Sequence, residues 1–217
     1  MSRHPSTSQP FPTPWPPDPP VPPRSPWQPE PRTPAPGPVS AWASLVLGGP
    51  DWLAERLLEQ RVLALAGGLD ADAIHRAVAE LALLDATGDS PVQLRLSGVT
   101  TDLDGALTLV DALDLVNAPV HATCLGTISG TAVAVLAVAD VRSAGPHALI
   151  QLTEPRAPHG IPGREVESLA AEHARQVRQL QERIAAACGR PVDDVAADMR
   201  AGRLLTVDEA RAYGLLD

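Results

Sequence analysis

The chain has 217 residues, which is enough for one domain of ordinary size or for one domain with an appendage. It is acidic, with 26 Asp and Glu residues against 17 basic residues, all of them arginine, and a formal net charge of −9. This balance argues against a nucleic-acid-binding protein, and no apolar run is long enough to span a membrane.

Residues 1–40 differ in composition from the rest of the chain, since most of the 24 prolines lie in residues 1–38. Proline has no backbone N–H and a fixed φ, so this stretch cannot form a hydrogen-bonded ladder or a helix. We expect a disordered or polyproline II tail over 1–40, either merely solvated or a recognition arm carrying Trp15 and Trp27. Residues 41–217 are rich in Ala, Leu and Val and are predicted to form one domain packed by small aliphatic side chains.

Within this domain, hydrophobic periodicity alternates between the spacing typical of helices and that typical of strands. The predicted elements, in chain order, are a helix at 52–60, a strand at 61–67, a helix at 70–86 capped by Asp70, a strand at 92–98, a helix at 102–116, a strand at 119–125, a buried helix at 128–140, a strand at 147–153, a long amphipathic helix at 164–189, a shorter helix from Pro191 and a last helix at 206–214 with Thr206 and Glu209 as a capping box. This order predicts an α/β fold with parallel strands.

Cys124 and Cys188 are the only cysteines. The N-terminus lacks the apolar stretch of a signal peptide, so we expect a cytoplasmic protein in which both thiols are free and buried or half-buried. The histidines are scattered and no pair has the spacing of metal ligands. We therefore expect neither a metal nor a cofactor.

Residues 118–140, APVHATCLGTISGTAVAVLAVAD, have the order in which hydrolytic α/β folds present a nucleophile. A β-rich run leads into a glycine turn and then into a helix of small residues. Such a turn lifts one side chain to the helix N-terminus, where backbone N–H groups point outward.

Four segments in order resemble the proteolytic subunit of the ATP-dependent Clp protease, a serine peptidase with the crotonase-like fold. LLEQRVLALAGGLD resembles its entry strand, CLGTISGTA its nucleophile turn, HALIQLTEP its histidine-bearing strand and DMRAGRLLTVDEARAYGLLD its closing segment. The resemblance extends from Trp52 to Asp217. It implies an α/β fold of repeated strand-strand-helix units with a long handle helix, here 164–188, after the proline-rich tail.

The resemblance assigns the catalytic positions unevenly. The serine position corresponds to Gly130, the histidine position to Gln151 and the aspartate position to Asp198, which is retained. The glycine pair of the family's oxyanion loop corresponds to Val99 and Thr100, and β-branched residues resist the open backbone geometry that glycine permits. A glutamine cannot act as a general base, so we expect an inactive or nearly inactive homologue.

Residual activity would need substitute groups. Ser129 precedes the lost serine position, and His121, His147 and His159 lie in nearby segments, but contact between nucleophile and base within about 3 Å is demanding. The simpler interpretation makes Ser129 a helix cap and the histidines surface or packing residues. Asp198 is then expected to pair with an arginine such as Arg200 or Arg203.

The resemblance also implies partners. Family members assemble as stacked seven-membered rings that meet through the handle helix, so we expect homomeric or mixed rings with Clp proteolytic subunits, and contact with an AAA+ unfoldase. The expected role is structural or regulatory. An active serine-type endopeptidase with an atypical site is a second hypothesis, and a crotonase-type acyl-CoA enzyme a third.

Overall fold

The computed structural model describes residues 52–156 and 166–217, so the predicted tail over 1–40 lies outside the described residues. The helices described are α1 (Trp52–Glu59), α2 (Ala71–Ala86), α3 (Leu103–Leu115), α4 (Ala132–Ala137), α5 (Val166–Cys188), α6 (Val192–Ala201) and α7 (Val207–Tyr213). The strands described are β1 (Val62–Gly68), β2 (Val92–Thr100), β3 (Val120–Leu125), β4 (Thr127–Ser129), β5 (Val141–Ala144), β6 (Leu149–Gln151) and β7 (Leu204–Leu205). Strands alternate with helices along the chain, which confirms the predicted α/β class.

The larger sheet has the strand order β1-β2-β3-β5, and all its neighbours are parallel as predicted. On one face, Leu94 and Leu96 of β2 and Ala122 and Cys124 of β3 are buried. On the opposite face Val62 is buried at the start of β1, but ten further side chains are exposed or only half-buried, although parallel sheets are normally covered on both faces. These ten, called here the open face, are Ala64, Ala66, Gln93, Arg95, Ser97, His121, Thr123, Leu125, Val141 and Ser143.

A second sheet is built from three short strands in the order β4-β6-β7. β4 pairs with β6 in parallel, and β6 pairs with β7 in antiparallel orientation. Ile128, Ile150 and Leu205 face inward, where each is at most 1 % exposed. This sheet carries the segment that resembles a nucleophile turn and the one that resembles a histidine strand.

The helices begin and end where local chemistry favours it. Asp70 accepts a hydrogen bond from the Ala73 N–H at 2.9 Å, and Thr206 and Glu209 form the predicted capping box of α7. At the end of α2, the Arg61 guanidinium donates to the carbonyls of Leu84, Gly88 and Ser90, at 2.8 to 2.9 Å. The Leu84 carbonyl belongs to the last turn of α2, and Gly88 and Ser90 follow the helix, so Arg61 ties the helix end to the connection before β2.

The core is packed by Ala, Val, Leu and Ile side chains, as predicted, and α4 is buried along its whole length. Tyr213 is the one aromatic residue among the buried side chains described, and Trp52 is 68 % exposed. Small side chains let α4 lie close to its neighbours, because bulky residues would hold the backbones apart.

Two predicted elements are shorter in the structure, and two short strands were not predicted. The helix predicted over 128–140 is shorter, since residues 127–129 pair as β4 and a left-handed Gly130 separates this strand from α4. The strand predicted over 147–153 contains only Leu149–Gln151. β5 and β7 were not predicted, because four and two residues are too few to show a period of two.

Candidate functional site

The turn between β4 and α4 holds Gly130 in a left-handed conformation, with φ +62°. Its N–H donates to the Gln151 carbonyl at 3.0 Å, which fixes the turn against β6. The next residue, Thr131, is 3 % exposed and donates its hydroxyl proton to the Thr101 carbonyl at 2.6 Å. The chain therefore turns from strand to helix in the manner of an elbow, and the left-handed residue of this turn has no side chain.

Ser129 is the last residue of β4 and not a helix cap, so that prediction is wrong. α4 starts after Thr131, and no side-chain hydrogen bond caps it. The reason is that Thr127 and Ile128 are β-branched and pair with β6, which extends the strand to residue 129.

Gln151 ends β6, where it pairs with Ser129 on one side and Leu204 on the other. Because Ile128 and Ile150 point into the core, Ser129 and Gln151 share the opposite face, and both are half-buried. In the described part of the chain, no histidine ring hydrogen-bonds to either. His121 instead lies 3.4 Å from the Gln93 amide nitrogen and His147 is exposed, whereas His159 lies outside the described residues.

Asp198 lies on α6 and contacts two side chains. Its Oδ2 accepts the Tyr213 hydroxyl proton at 2.8 Å, and Nη1 of Arg203 lies 3.2 Å from both carboxylate oxygens. The ion pair expected for Asp198 is therefore formed with Arg203, while Arg200 donates to the Ala196 carbonyl. The sequence alone did not predict the contact between Asp198 and Tyr213. The signal that could have indicated it is that both residues lie in the same closing segment.

Backbone hydrogen bonds connect the segments of the three sequence-predicted site positions to β6 and to the residues that follow it. Gly130 is bonded to Gln151, and the Leu152 N–H donates to the Arg203 carbonyl at 2.8 Å. The Glu154 N–H donates to the Met199 carbonyl at 3.1 Å, next to Asp198. The chemistry at these positions is nevertheless limited to an amide and a carboxylate in an ion pair.

Thr153 occupies the space beside the turn. A Cβ placed on Gly130 would lie 3.4 Å from the Thr153 hydroxyl oxygen, and one placed on Gly202 would lie 3.7 Å from the Thr153 methyl carbon. A small side chain would therefore fit at position 130 with tight contact. Nothing in the sequence pattern marked Thr153 as a neighbour of this turn.

Val99 and Thr100, the pair that corresponds to the oxyanion loop, belong to β2. Val99 is fully buried, and the Thr100 carbonyl accepts from the Leu69 N–H at 2.8 Å. The preceding residue, Gly98, has φ +59°. The strand thus continues past this glycine, as expected of two β-branched residues.

Both cysteines are free thiols, Cys124 buried and Cys188 half-buried, as predicted. Burial raises the pKa of the Cys124 thiol to about 11, and that of Cys188 also to about 11. At neutral pH both are protonated, and the thiol is a much weaker nucleophile than the thiolate.

Among residues 52–156 and 166–217, no group of three or more His, Cys, Asp or Glu side chains has the arrangement of a metal site. Over the same ranges, no helix has the combination of length and apolar character that crossing a membrane requires.

Comparison with known families identifies the chain. The model of the Clp protease family matches residues 51–217, which is more than half of the chain. The chain belongs to the Clp protease family. The α/β fold, with its parallel sheet and long α5, is consistent with Clp proteases.

Two Clp relatives match over most of their own length. The ATP-dependent Clp protease proteolytic subunit 3 of Rhodococcus jostii (strain RHA1) is 31 % identical over 170 residues, which cover 77 % of this chain and 84 % of the relative. The ATP-dependent Clp protease proteolytic subunit of Pleurastrum terricola is 27 % identical over 172 residues, which cover 77 % of this chain and 88 % of the relative. The Clp-like region of this chain is therefore close to the full length of these relatives.

Proposed function

We propose that this chain is a Clp proteolytic-subunit-like protein without peptidase activity, which acts as a structural or regulatory subunit of a Clp-type assembly. The observation that carries the proposal is the turn at Gly130. At the turn from β4 to α4, the position that corresponds to the family's serine carries a hydrogen atom instead of a hydroxymethyl group. Without a nucleophile the acyl-enzyme route is closed.

The proton-transfer position is changed as well. Gln151 stands on the strand next to the turn, and its amide does not titrate near neutral pH. The retained Asp198 has no imidazole to orient at this position. Val99 and Thr100 are part of a strand, with the Thr100 carbonyl in a hydrogen bond, which weakens the case for an oxyanion loop there.

In the described residues, neither Ser129 nor Cys124 forms a side-chain hydrogen bond with a base. Ser129 is half-buried next to Gln151, whose amide does not accept a proton at neutral pH. Cys124 is fully buried and its pKa is raised to about 11. An atypical active peptidase is therefore the weaker candidate.

The open face of the parallel sheet supports a role in assembly. It is dominated by small and uncharged side chains, with Arg95 as the residue of permanent charge. A parallel sheet is stable when both faces are covered, so a neighbouring protein subunit is the expected cover. We propose rings that contain this chain and active Clp proteolytic subunits, and that bind an AAA+ unfoldase.

The acyl-CoA enzyme hypothesis has less support. The family match covers residues 51–217, and both relatives described above are proteolytic subunits. A bound acyl-CoA in the purified protein would be the observation in its favour.

The proposal is tested with the full chain, alone and together with an active Clp proteolytic subunit. Each preparation is assayed with a fluorogenic peptide, treated with an organophosphorus serine probe and weighed by native mass spectrometry. We expect no hydrolysis and no labelling of this chain alone, and a mixed complex of defined stoichiometry with the active subunit.

Hydrolysis by the isolated chain at the rate of the active subunit, with covalent labelling at Ser129, would overturn the inactive assignment. Failure to form any complex, with itself or with the active subunit, would overturn the assembly role.

A further inference from the structure

We propose that Arg203 and Tyr213 are positioning residues that hold the Asp198 carboxylate in the corner between α6 and α7, where it cannot orient a group at position 151. This inference rests on the proposed function, because it takes residues 130, 151 and 198 as the former catalytic positions. It extends that function by including the one catalytic position whose residue type is retained.

The carboxylate is bound on both oxygens. Oδ2 accepts the Tyr213 hydroxyl proton at 2.8 Å, and Oδ1 and Oδ2 each lie 3.2 Å from Nη1 of Arg203. The Asp198 side chain is 22 % exposed and that of Arg203 is 46 % exposed. Hydrogen bonds to an ionised carboxylate are stronger than neutral ones, so two such donors define its orientation.

Tyr213 is itself held in place. Its side chain is 2 % exposed, and the guanidinium carbons of Arg190 and Arg203 lie 4.0 and 5.4 Å from its ring centroid. Arg190 also donates from Nε to the Tyr213 carbonyl at 2.9 Å. Burial and then the hydrogen bond to Asp198 raise the pKa of Tyr213, so its hydroxyl remains a donor.

Arg203 lies between Asp198 and the strand that carries Gln151. Its N–H donates to the Asp198 carbonyl at 3.1 Å, and its own carbonyl accepts from Leu152 at 2.8 Å. In the described residues, no hydrogen bond joins the Gln151 amide to Asp198, although the backbone of β6 is hydrogen-bonded to the segment that follows α6. A proton acceptor introduced at position 151 would therefore meet a carboxylate that is already bound.

The test uses a histidine at position 151 as the reporter, in the full chain. A nearby carboxylate stabilises the imidazolium and raises the histidine pKa. The new resonance is assigned by NMR against the six histidines of the parent chain, and its pKa is measured in Gln151→His alone and combined with Arg203→Met or Tyr213→Phe. Tyr213→Phe frees Oδ2 without changing any charge.

We expect the single variant to titrate near the ordinary histidine value of about 6.5, because Asp198 is not available to it. Either second substitution should raise the pKa by about one pH unit, which is a tenfold change in proton affinity. Adding Asp198→Asn should abolish the rise. A merely structural role for Arg203 and Tyr213 would not produce a rise that depends on Asp198.

Arg200→Met in the Gln151→His background is the matched control. Arg200 carries the same charge on α6 but donates to the Ala196 carbonyl, so its loss should leave the pKa of His at position 151 unchanged. A raised pKa in the single variant that Asp198→Asn lowers would overturn the inference, as would no rise in either double variant. This readout is separate from peptidase activity of the unmodified chain, on which the proposed function depends.

Discussion

The backbone conformation of Gly130 limits which side chains this position can hold. Its φ of +62° lies in the left-handed region, where an L side chain crowds its own carbonyl oxygen. A Cβ there would still find room, with the Thr153 hydroxyl oxygen 3.4 Å away. A serine at this position would thus be strained, but there is room for its side chain. The absence of a hydroxyl group here is therefore not caused by a lack of space.

The variant Gly130→Ser should lower the free energy of unfolding by roughly 1–2 kcal/mol, because an L residue is strained at this φ. It should not gain peptidase activity, since Gln151 cannot accept the serine proton. Urea unfolding and a fluorogenic peptide assay measure the two effects.

Gly130→Ala is the control, with the same strain and no hydroxyl group. Activity that appears in Gly130→Ser but not in Gly130→Ala would contradict the role given to Gln151.

At the scale of elements, one side chain at the end of α2 binds the segment that leads into β3. Asp85 on α2 accepts from the Asn117 and Ala118 N–H groups at 2.8 and 3.0 Å, just before β3. Its carboxylate also accepts from the Asn117 side chain at 3.0 Å. The hydrogen bonds from Ala118 and then from Asn117 lower the pKa of Asp85. The charged form is therefore favoured in the folded state.

Replacing Asp85 by Asn should change how stability depends on pH. A carboxylate with a lowered pKa in the folded state stabilises the fold above its unfolded pKa of about 3.9, and this stabilisation is lost as pH falls through the folded value. The variant should be less stable at pH 7 and should lose less stability than the parent chain between pH 5 and pH 2.5.

Urea unfolding at pH 7, pH 5 and pH 2.5 measures the effect. Asp89→Asn serves as the control, because Asp89 is an exposed aspartate in the connection between α2 and β2. Equal acid sensitivity of Asp85→Asn and the parent chain would contradict this role of Asp85.

For the whole molecule, the open face is the feature that a monomer leaves unexplained. Register places Ala64, Arg95 and Thr123 side by side on three strands, and the next row contains Ala66, Ser97 and Leu125. All six are exposed or half-buried. A surface of this kind on a parallel sheet fits an interface with another subunit.

Ala66→Glu should therefore weaken assembly without unfolding the subunit, because it places a carboxylate on the open face, at the edge strand β1. The share of mixed complex with an active Clp subunit should fall at least tenfold in native mass spectrometry, while circular dichroism stays unchanged. An unpaired charge buried in an interface costs enough free energy for this effect.

Ala212→Glu is the matched control on α7, where Ala212 is exposed. If Ala66→Glu assembles as well as Ala212→Glu, the open face is not the interface.

The long periodic elements could be predicted because their patterns are local. The helix predicted over 164–189 is observed at Val166–Cys188, and Asp70 and Thr206 cap their helices as expected. β4, β5 and β7 could not be predicted, since two to four residues form a strand only when a partner strand lies beside them. The same limit made residues 128–131 resemble the start of a helix.

The amino-acid sequence by itself determined the fold class, the family and the residue types at positions 130, 151 and 198, because periodicity, motif order and chemical identity are properties of the chain alone. Only the tertiary structure decided what Asp198 contacts. Its partners Arg203 and Tyr213 lie 5 and 15 residues away, and the fold of the segment from α6 through β7 to α7 brings both side chains to the carboxylate. Side-chain orientation depends on such packing, which a linear pattern does not contain.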